Sequence, residues 1–255
     1  WAEQPMSPAP NVLILNSYNK GLPWTDEQTD GIVAALRDSD LDPSFYVEYL
    51  DWKNHPTPEN FRLMYELLKA KYAKKKIDVI LATDDIALIF AFQHRREIFS
   101  NAPVVFSGVY KEAVERLATK ETNYTGVYER PDVDGTIRLM VALNPNLKYI
   151  YLLFDNTESG AVSWVPVEKA APRIKPGLSV MPINYLTRDM IATVLRTLPD
   201  DSAVLVTSFS RDIMGNVMEL ERYVKFFAEN SRVPVYVLYD FMTGYGAVGG
   251  SVLSG

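Results

Sequence analysis

Small hydroxyls, carboxylates and aromatic rings recur where apolar runs of this sequence end. Ser17 and Tyr18 follow "NVLILN", Thr83, Asp84 and Asp85 follow "IDVILA", and Ser107 and Gly108 close "APVVFSG". Further along, Asp155 and Asn156 come at the end of "KYIYLLFD", Tyr185 near the end of "LSVMPINYL", Ser208 and Phe209 in "SAVLVTSFS", and Asp240 at the end of "VPVYVLYD". Trp24 sits in the Gly-Leu-Pro-Trp loop after the first run. Such a set suits a surface that stacks on an organic molecule and fixes it with a few directed hydrogen bonds. The carboxylates are capable of acid–base chemistry, but no second group marks out a reaction.

Enzyme motifs fail on context. "GYGAVGG" places Gly244, Gly246 and Gly249 in a G-x-G-x-x-G pattern, yet a dinucleotide fingerprint needs a strand just before it, a helix after it and an acid about 20 residues on. The chain ends at Gly255, so a strand with close backbone packing is the expected structure there. There is no G-x-S-x-G elbow and no P-loop. The two histidines, His55 and His94, fall in a Pro-flanked loop and late in a helix, away from every strand end, and the absence of cysteine excludes disulfides and thiolate metal sites. The sequence implies no metal, no cofactor and no catalysis.

Several of these residues carry two readings. Trp24 is either a wall for a ligand or a staple joining its loop to the first helix. Asp84 either caps the helix it opens or contacts a ligand. Asp155 and Asp240, each ending an apolar strand, either face a cleft or lie on the surface.

The elements that must position these residues alternate strictly. Near-continuous apolar strands are separated by amphipathic helices, which is the mark of parallel sheets buried on both faces. The first helix is expected over about residues 26–37 with Thr25 as its N-cap, and the second opens at "TPEN" and runs to about Tyr72. A doubly wound unit is complete by about Gly126, and the rhythm then restarts with "PDVDGTIRLMVALNP". Two lobes are expected, residues 1–127 and 128–255, with the boundary in "TGVYERPDVD" and Pro131 marking the crossing.

The chain has 255 residues, with 26 basic and 32 acidic side chains for a net charge of −6. Nucleic acid is therefore not an expected partner. The run Lys69, Lys71, Lys74, Lys75 and Lys76 reads as a solvated helix C-terminus favoured by the macrodipole rather than a phosphate site. No apolar run reaches the roughly 18 residues of a membrane span. The chain opens on Trp1, and "WAEQPMSPAP" reads as a tether of a mature or excised piece.

The first loop and helix, "SYNKGLPWTDEQTDGI", together with "ATDDIALIF", "VVFSGV", "GVYERPDVDGTIRLMVALNPNLKYIYLLFDNTESG" and "GAVGG", resemble the ABC-transporter substrate-binding-like family of type I periplasmic binding proteins. The Pro-Trp-Thr-Asp form resembles the branch fused to bacterial sensor histidine kinases. The resemblance implies two Rossmann-like lobes joined by a hinge, a small molecule bound between them, and closure on binding. It places the family's pocket on Tyr18, Trp24, Thr83, Asp84, Asp85, Ser107 and Gly108, and on Asp155, Asn156, Ser208 and Asp240. Family members continue past the glycine-rich strand into a helix that returns to the first lobe, whereas this sequence stops at "GGSVLSG".

The function expected on this basis is an extracytoplasmic sensor domain, tethered to the inner membrane, whose partner is a membrane-anchored kinase or other signalling module in the same chain. The alternative is a solute-binding protein that serves an ABC permease. Arg211 is the only arginine close to a strand end, so no cluster for a polyphosphate is expected. A small organic ligand with an aromatic or apolar face and one or two donor groups fits best.

Overall fold

The computed structural model describes residues 9–117 and 121–254. The Pro-rich tether thus lies almost wholly outside the described residues, as do the last residue of "KEAVERLA" and Gly255. The chain forms two compact units, one extending to Arg130 and the other running from Pro131 to Ser254.

The first lobe runs β1 (Asn11–Asn16), α1 (Pro23–Arg37), β2 (Ser44–Tyr49), α2 (Pro58–Tyr72), β3 (Val79–Thr83), α3 (Asp84–Ile98), β4 (Val104–Val109), α4 (Lys111–Leu117) and β5 (Tyr124–Tyr128). Its sheet has the order β2-β1-β3-β4-β5, every pair parallel. Val12, Leu13, Ile14 and Leu15 of β1 are all buried, as a strand covered by helices on both faces must be. Chain order reverses between β1 and β3, so the loops leaving their carboxyl ends diverge to opposite faces and open a crevice at that edge.

The second lobe runs α5 (Val133–Leu143), β6 (Tyr149–Leu153), α6 (Glu158–Ile174), β7 (Ser179–Ile183), α7 (Arg188–Arg196), β8 (Ser202–Val206), α8 (Leu220–Asn230), β9 (Val235–Val237) and a 3-10 turn over Asp240–Met242. Its order is β7-β6-β8-β9, again all parallel, with the reversal between β6 and β8. All five residues of β8 are buried. Pro182, which cannot donate to a ladder, lies on β7 at the sheet edge, where a proline is tolerated. The protein is therefore α/β with two parallel-sheet lobes, as the alternation of its sequence implies.

Four local expectations need correction. The first helix begins at Pro23, not near Asp26, with Leu22 at the N-cap position and no side-chain cap. Proline fits the first helical position because its missing N–H leaves nothing there to satisfy. Thr25 is accordingly inside the helix and fully buried, while Asp26 reaches back to accept from the Gly21 N–H. Second, β5 lies within the stretch read as a connector. Third, "VMELERYVKFFAEN" becomes helical only from Leu220, because the preceding residues fold around Asp212. Fourth, "GYGAVGG" forms turns and a single bridge of Gly249 to Tyr236 rather than a strand. Close packing does occur at Gly250, where a Cβ would stand 2.1 Å from the Val237 carbonyl oxygen.

The edge strand β5 is held by a buried cation. Arg95 on α3 is 1% exposed, and its Nη2 donates to Glu121 Oε2 and the Thr122 carbonyl, each at 2.6 Å. Its Nη1 donates to the carbonyls of Ala102 and Asn123 at 3.3 Å. Removing one partner of a buried pair strands the other, at a cost of about 3–5 kcal/mol. Arg95→Met is thus expected to lower the urea-unfolding free energy by about that amount. A loss below about 1 kcal/mol would place the anchoring of β5 elsewhere.

Candidate functional site

In lobe one the reversal between β1 and β3 gathers the predicted residues on one edge. Ser17 is fully buried; its hydroxyl donates to the Thr83 carbonyl at 2.7 Å and accepts from the Ala87 N–H at 2.8 Å, stitching β1 to the first turn of α3. Thr83, also fully buried, donates to Asn16 Oδ1 at 2.8 Å. Both residues brace the edge from below.

Asp84 is the centre of this edge. It is 3% exposed and adopts φ +66°, a left-handed conformation that costs a non-glycine residue energy and turns the chain sharply out of β3. Its carboxylate does not cap α3. Instead Oδ1 accepts from the Trp24 indole N–H at 2.8 Å, and Oδ2 accepts from Gln28 Nε2 at 3.4 Å. Gln28 Oε1 in turn accepts from the Ser107 hydroxyl at 2.7 Å. Trp24 thus ties α1 to the end of β3, and it is 8% exposed.

Gly108 completes the edge. It has φ +65°, and a Cβ there would lie 2.8 Å from Asp84 Oδ1 and 3.0 Å from Gln28 Oε1. Only glycine allows this approach. Tyr18 is half-buried, with the Lys53 ammonium 4.8 Å from its ring centroid. Burial raises the Tyr18 hydroxyl well above the usual tyrosine range, and the nearby carboxyls of Asp84, Asp85 and Glu129 add to that rise. Burial likewise pushes the Asp84 carboxyl well up; Glu129 and Asp85 push the same way, and the Trp24 hydrogen bond and Lys53 oppose them.

Lobe two is built around a second strand-end aspartate. Asp155 is 2% exposed and accepts from the Thr157 backbone N–H at 3.0 Å and from its hydroxyl. It also accepts from the Ser210 N–H at 2.6 Å and the Ser210 hydroxyl at 2.7 Å. The loops after β6 and β8 are thereby locked together. Thr157, Ser159 and Ser208 form a hydroxyl chain with 3.1 Å spacings, and Thr157 also caps α6.

The other predicted residues of this lobe separate. Phe209 is buried edge-on between Tyr223 and Phe227, in the core. Asn156 is exposed, and Tyr185 is 67% exposed at φ +54°. Asp240 opens the 3-10 turn and accepts from the Ser254 hydroxyl. A cavity of about 500 Å³ lies against residues outside the predicted set, including Arg188, Asp212, Asn216 and Tyr223.

Sequence reading missed Gln28, Lys53, Glu129, Ser159 and Ser210. Gln28 had a usable signal, since it stands four residues after Trp24 and so shares its helical face once Trp24 is placed on α1. Ser210 follows Ser208 in the same strand-end loop. Lys53 and Glu129 belong to other loops and had none.

The sequence pattern of the family described as ABC transporter substrate binding protein matches residues 22–252. The chain belongs to that family. No curated protein gives a significant sequence match. Among solved structures, one similar to it is an ABC domain from Streptococcus pneumonia in complex with L-Trp, at 16% identity and TM-score 0.63, covering 93% of this chain and 77% of that one. A conserved domain protein from Vibrio cholerae gives 15% identity and TM-score 0.64, covering 94% and 79%. The ligand-free, open structure of a substrate-binding protein with adhesive properties from Clostridium difficile gives 17% and 0.60, covering 94% and 79%. At such identities these likenesses show the fold alone. The family is one of extracytoplasmic ligand-binding proteins, which hold a substrate for transport and do not convert it. These matches carry the family and not the sensor-kinase branch.

The raised carboxyl of Asp84 fixes the sign of a pH effect. The folded state holds this proton more tightly than the unfolded chain, whose carboxyl titrates near about 3.9. Its contribution is full below that value and is lost as pH rises toward the folded value. Asp84→Asn is uncharged throughout, so its stability relative to the wild type is expected to rise between about pH 4 and pH 8. Urea midpoints measured across that range check it; parallel profiles for the two proteins would contradict it.

Proposed function

We propose that this protein is the solute-binding component of an ABC importer and that it takes a small organic solute at the carboxyl edge of its first sheet. The observation that carries this reading is the gathering of Tyr18, Asp84, Asp85, Ser107 and Gly108 at the β1/β3 reversal of a chain matched to the family over residues 22–252. Parallel sheets bind ligands at such reversals. Tyr18 offers ring surface for an aromatic or apolar face of the solute, and Asp85, Ser107 and the backbone at Gly108 offer a few directed polar contacts.

Trp24, Gln28, Ser17 and Thr83 support that surface. Their hydrogen bonds fix the loop after β1 and the turn after β3 before a ligand arrives, so little ordering cost falls on the binding step. A sensor linked to a kinase would use the same edges, with the bound state read by a signalling module in place of a permease. Transport distinguishes the two uses: loss of the gene should abolish uptake of the solute, and intact uptake with a lost transcriptional response would favour the sensor.

A thermal-shift screen of metabolites tests the binding itself, because a ligand at about 100 times its dissociation constant adds about 2.7 kcal/mol. For a solute so identified, Tyr18→Ala should weaken binding by about 1–3 kcal/mol, the range of aromatic contact and burial. Calorimetry reads the change. Unaltered affinity in that variant would remove the lobe-one edge from the binding surface.

A further inference from the structure

The cavity of about 500 Å³ in lobe two is walled by a loop that holds apolar side chains on a fixed frame. Asp212 makes that frame. Its Oδ1 accepts from the Met214 and Asn216 N–H groups at 3.0 Å, and its Oδ2 accepts from Asn216 Nδ2 at 3.0 Å and from the Arg188 N–H at 3.3 Å. Arg211 bridges to Val217 across the turn, the Ile213 N–H donates to the Leu186 carbonyl at 3.2 Å, and the Tyr223 hydroxyl donates to the Asn216 carbonyl at 2.7 Å. The loop after β8 is thereby fastened to the start of α7 and to α8.

On this rigid loop Met214 is nevertheless 72% exposed and Val217 55% exposed. Both line the cavity, as do Met218 and Tyr223, and Tyr223 is fixed by stacking on Phe227. Exposed apolar side chains gathered in this way mark a binding surface. The volume falls within the range of about 300–1,000 Å³ typical of small-molecule sites, and thioether side chains adapt to either aromatic or alkyl shapes.

The polar groups of the same wall decide the charge of the occupant. Four donors fill Asp212, and the Asp189 side chain is 94% exposed to water. Thr187 Oγ1 accepts from the Met190 N–H at 3.3 Å, which leaves its O–H as a donor. The Arg188 guanidinium makes no hydrogen bond among the described residues: it lies 5.6 Å from the Phe226 ring centroid and 4.0 Å from the Asp189 carboxylate. An exposed pair of that kind contributes at most about 1 kcal/mol, so a better acceptor displaces it. The charge of Arg188 is felt at the cavity wall. Burial pushes the Tyr223 hydroxyl up to about 12, Asp212 and Asp155 add to the rise, and Arg188 opposes them.

We infer that this cavity is a second small-molecule site and that its ligand is an amphipathic acid. A compact alkyl or aromatic body sits against Met214, Val217, Met218 and Tyr223, and one carboxylate pairs with Arg188, with the Thr187 hydroxyl as a further donor. Arg188 is the single cation among the described lining residues, which matches one negative charge and not a polyanion. The site is built from lobe two alone, so it stands or falls apart from the solute reading of lobe one.

The test uses protein with methyl-labelled methionine, in which Met214→Leu and Met218→Leu assign the two resonances. It is titrated with hexanoate, octanoate and phenylacetate, and with the matching primary amides and amines. The acids are expected to shift the Met214 and Met218 methyl signals at concentrations about 10-fold below those their amides require, the worth of a charge-assisted bond. Arg188→Met should weaken the acids to the level of the amides, and Arg188→Lys, which keeps the charge, should fall between. Because the response is read in lobe two, it should persist in Tyr18→Ala protein. Equal responses to acid and amide, stronger responses to the amines, or an acid response that survives Arg188→Met would overturn the carboxylate assignment. Met214 and Met218 signals unmoved by every probe would overturn the site itself, and neither result bears on solute binding by lobe one.

Discussion

A carboxylate buried at the end of a strand must find donors, and each lobe of this protein is arranged around that demand. In lobe one the Asp84 carboxylate draws the indole of Trp24 and the amide of Gln28 onto the turn after β3. In lobe two the Asp155 carboxylate draws Thr157 and Ser210 together across the loops after β6 and β8. Isolated charges in such places would be strongly unfavourable. Their satisfaction fixes the loops that flank each reversal of strand order, where parallel sheets take ligands.

The two centres solve the problem differently. Asp155 receives two backbone and two hydroxyl donors, a saturated arrangement that leaves the carboxylate no capacity for a ligand. Asp84 has two donors, one of them long, and its neighbours Asp85 and Glu129 raise its pKa alongside burial. Lobe one thus presents an acidic, aromatic edge. A solute-binding protein benefits from such rigidity, because binding energy is then spent on the difference between states and not on ordering loops.

Most of the fold was legible because buried parallel strands announce themselves as apolar runs. β1 and β8 are examples, buried along nearly their whole length. β5 was not legible: it is an edge strand with Val127 71% exposed and Gly126 at its centre, so it lacks the continuous buried apolar run of β1 and β8. The start of α1 was misplaced because Gly-Leu-Pro-Trp has the composition of a loop, although proline is well suited to the first turn of a helix. At the site, strand ends could be ranked from topology, and Tyr18, Asp84, Ser107 and Gly108 do come together on one edge. The bond from Trp24 to Asp84 spans 60 residues, and no local pattern encodes it. Phe209 shows the converse error, since a strand-end position alone does not tell a side chain facing outward from one turned into the core.

The central claim is that the carboxyl edge of lobe one meets the ligand. Amide hydrogen exchange of the protein with and without a solute found by thermal shift tests it most directly, because it reports on each loop separately. The account predicts that the solute slows exchange over residues 17–24 and 107–110 of lobe one. Protection confined to other segments, with these two unchanged, would contradict it.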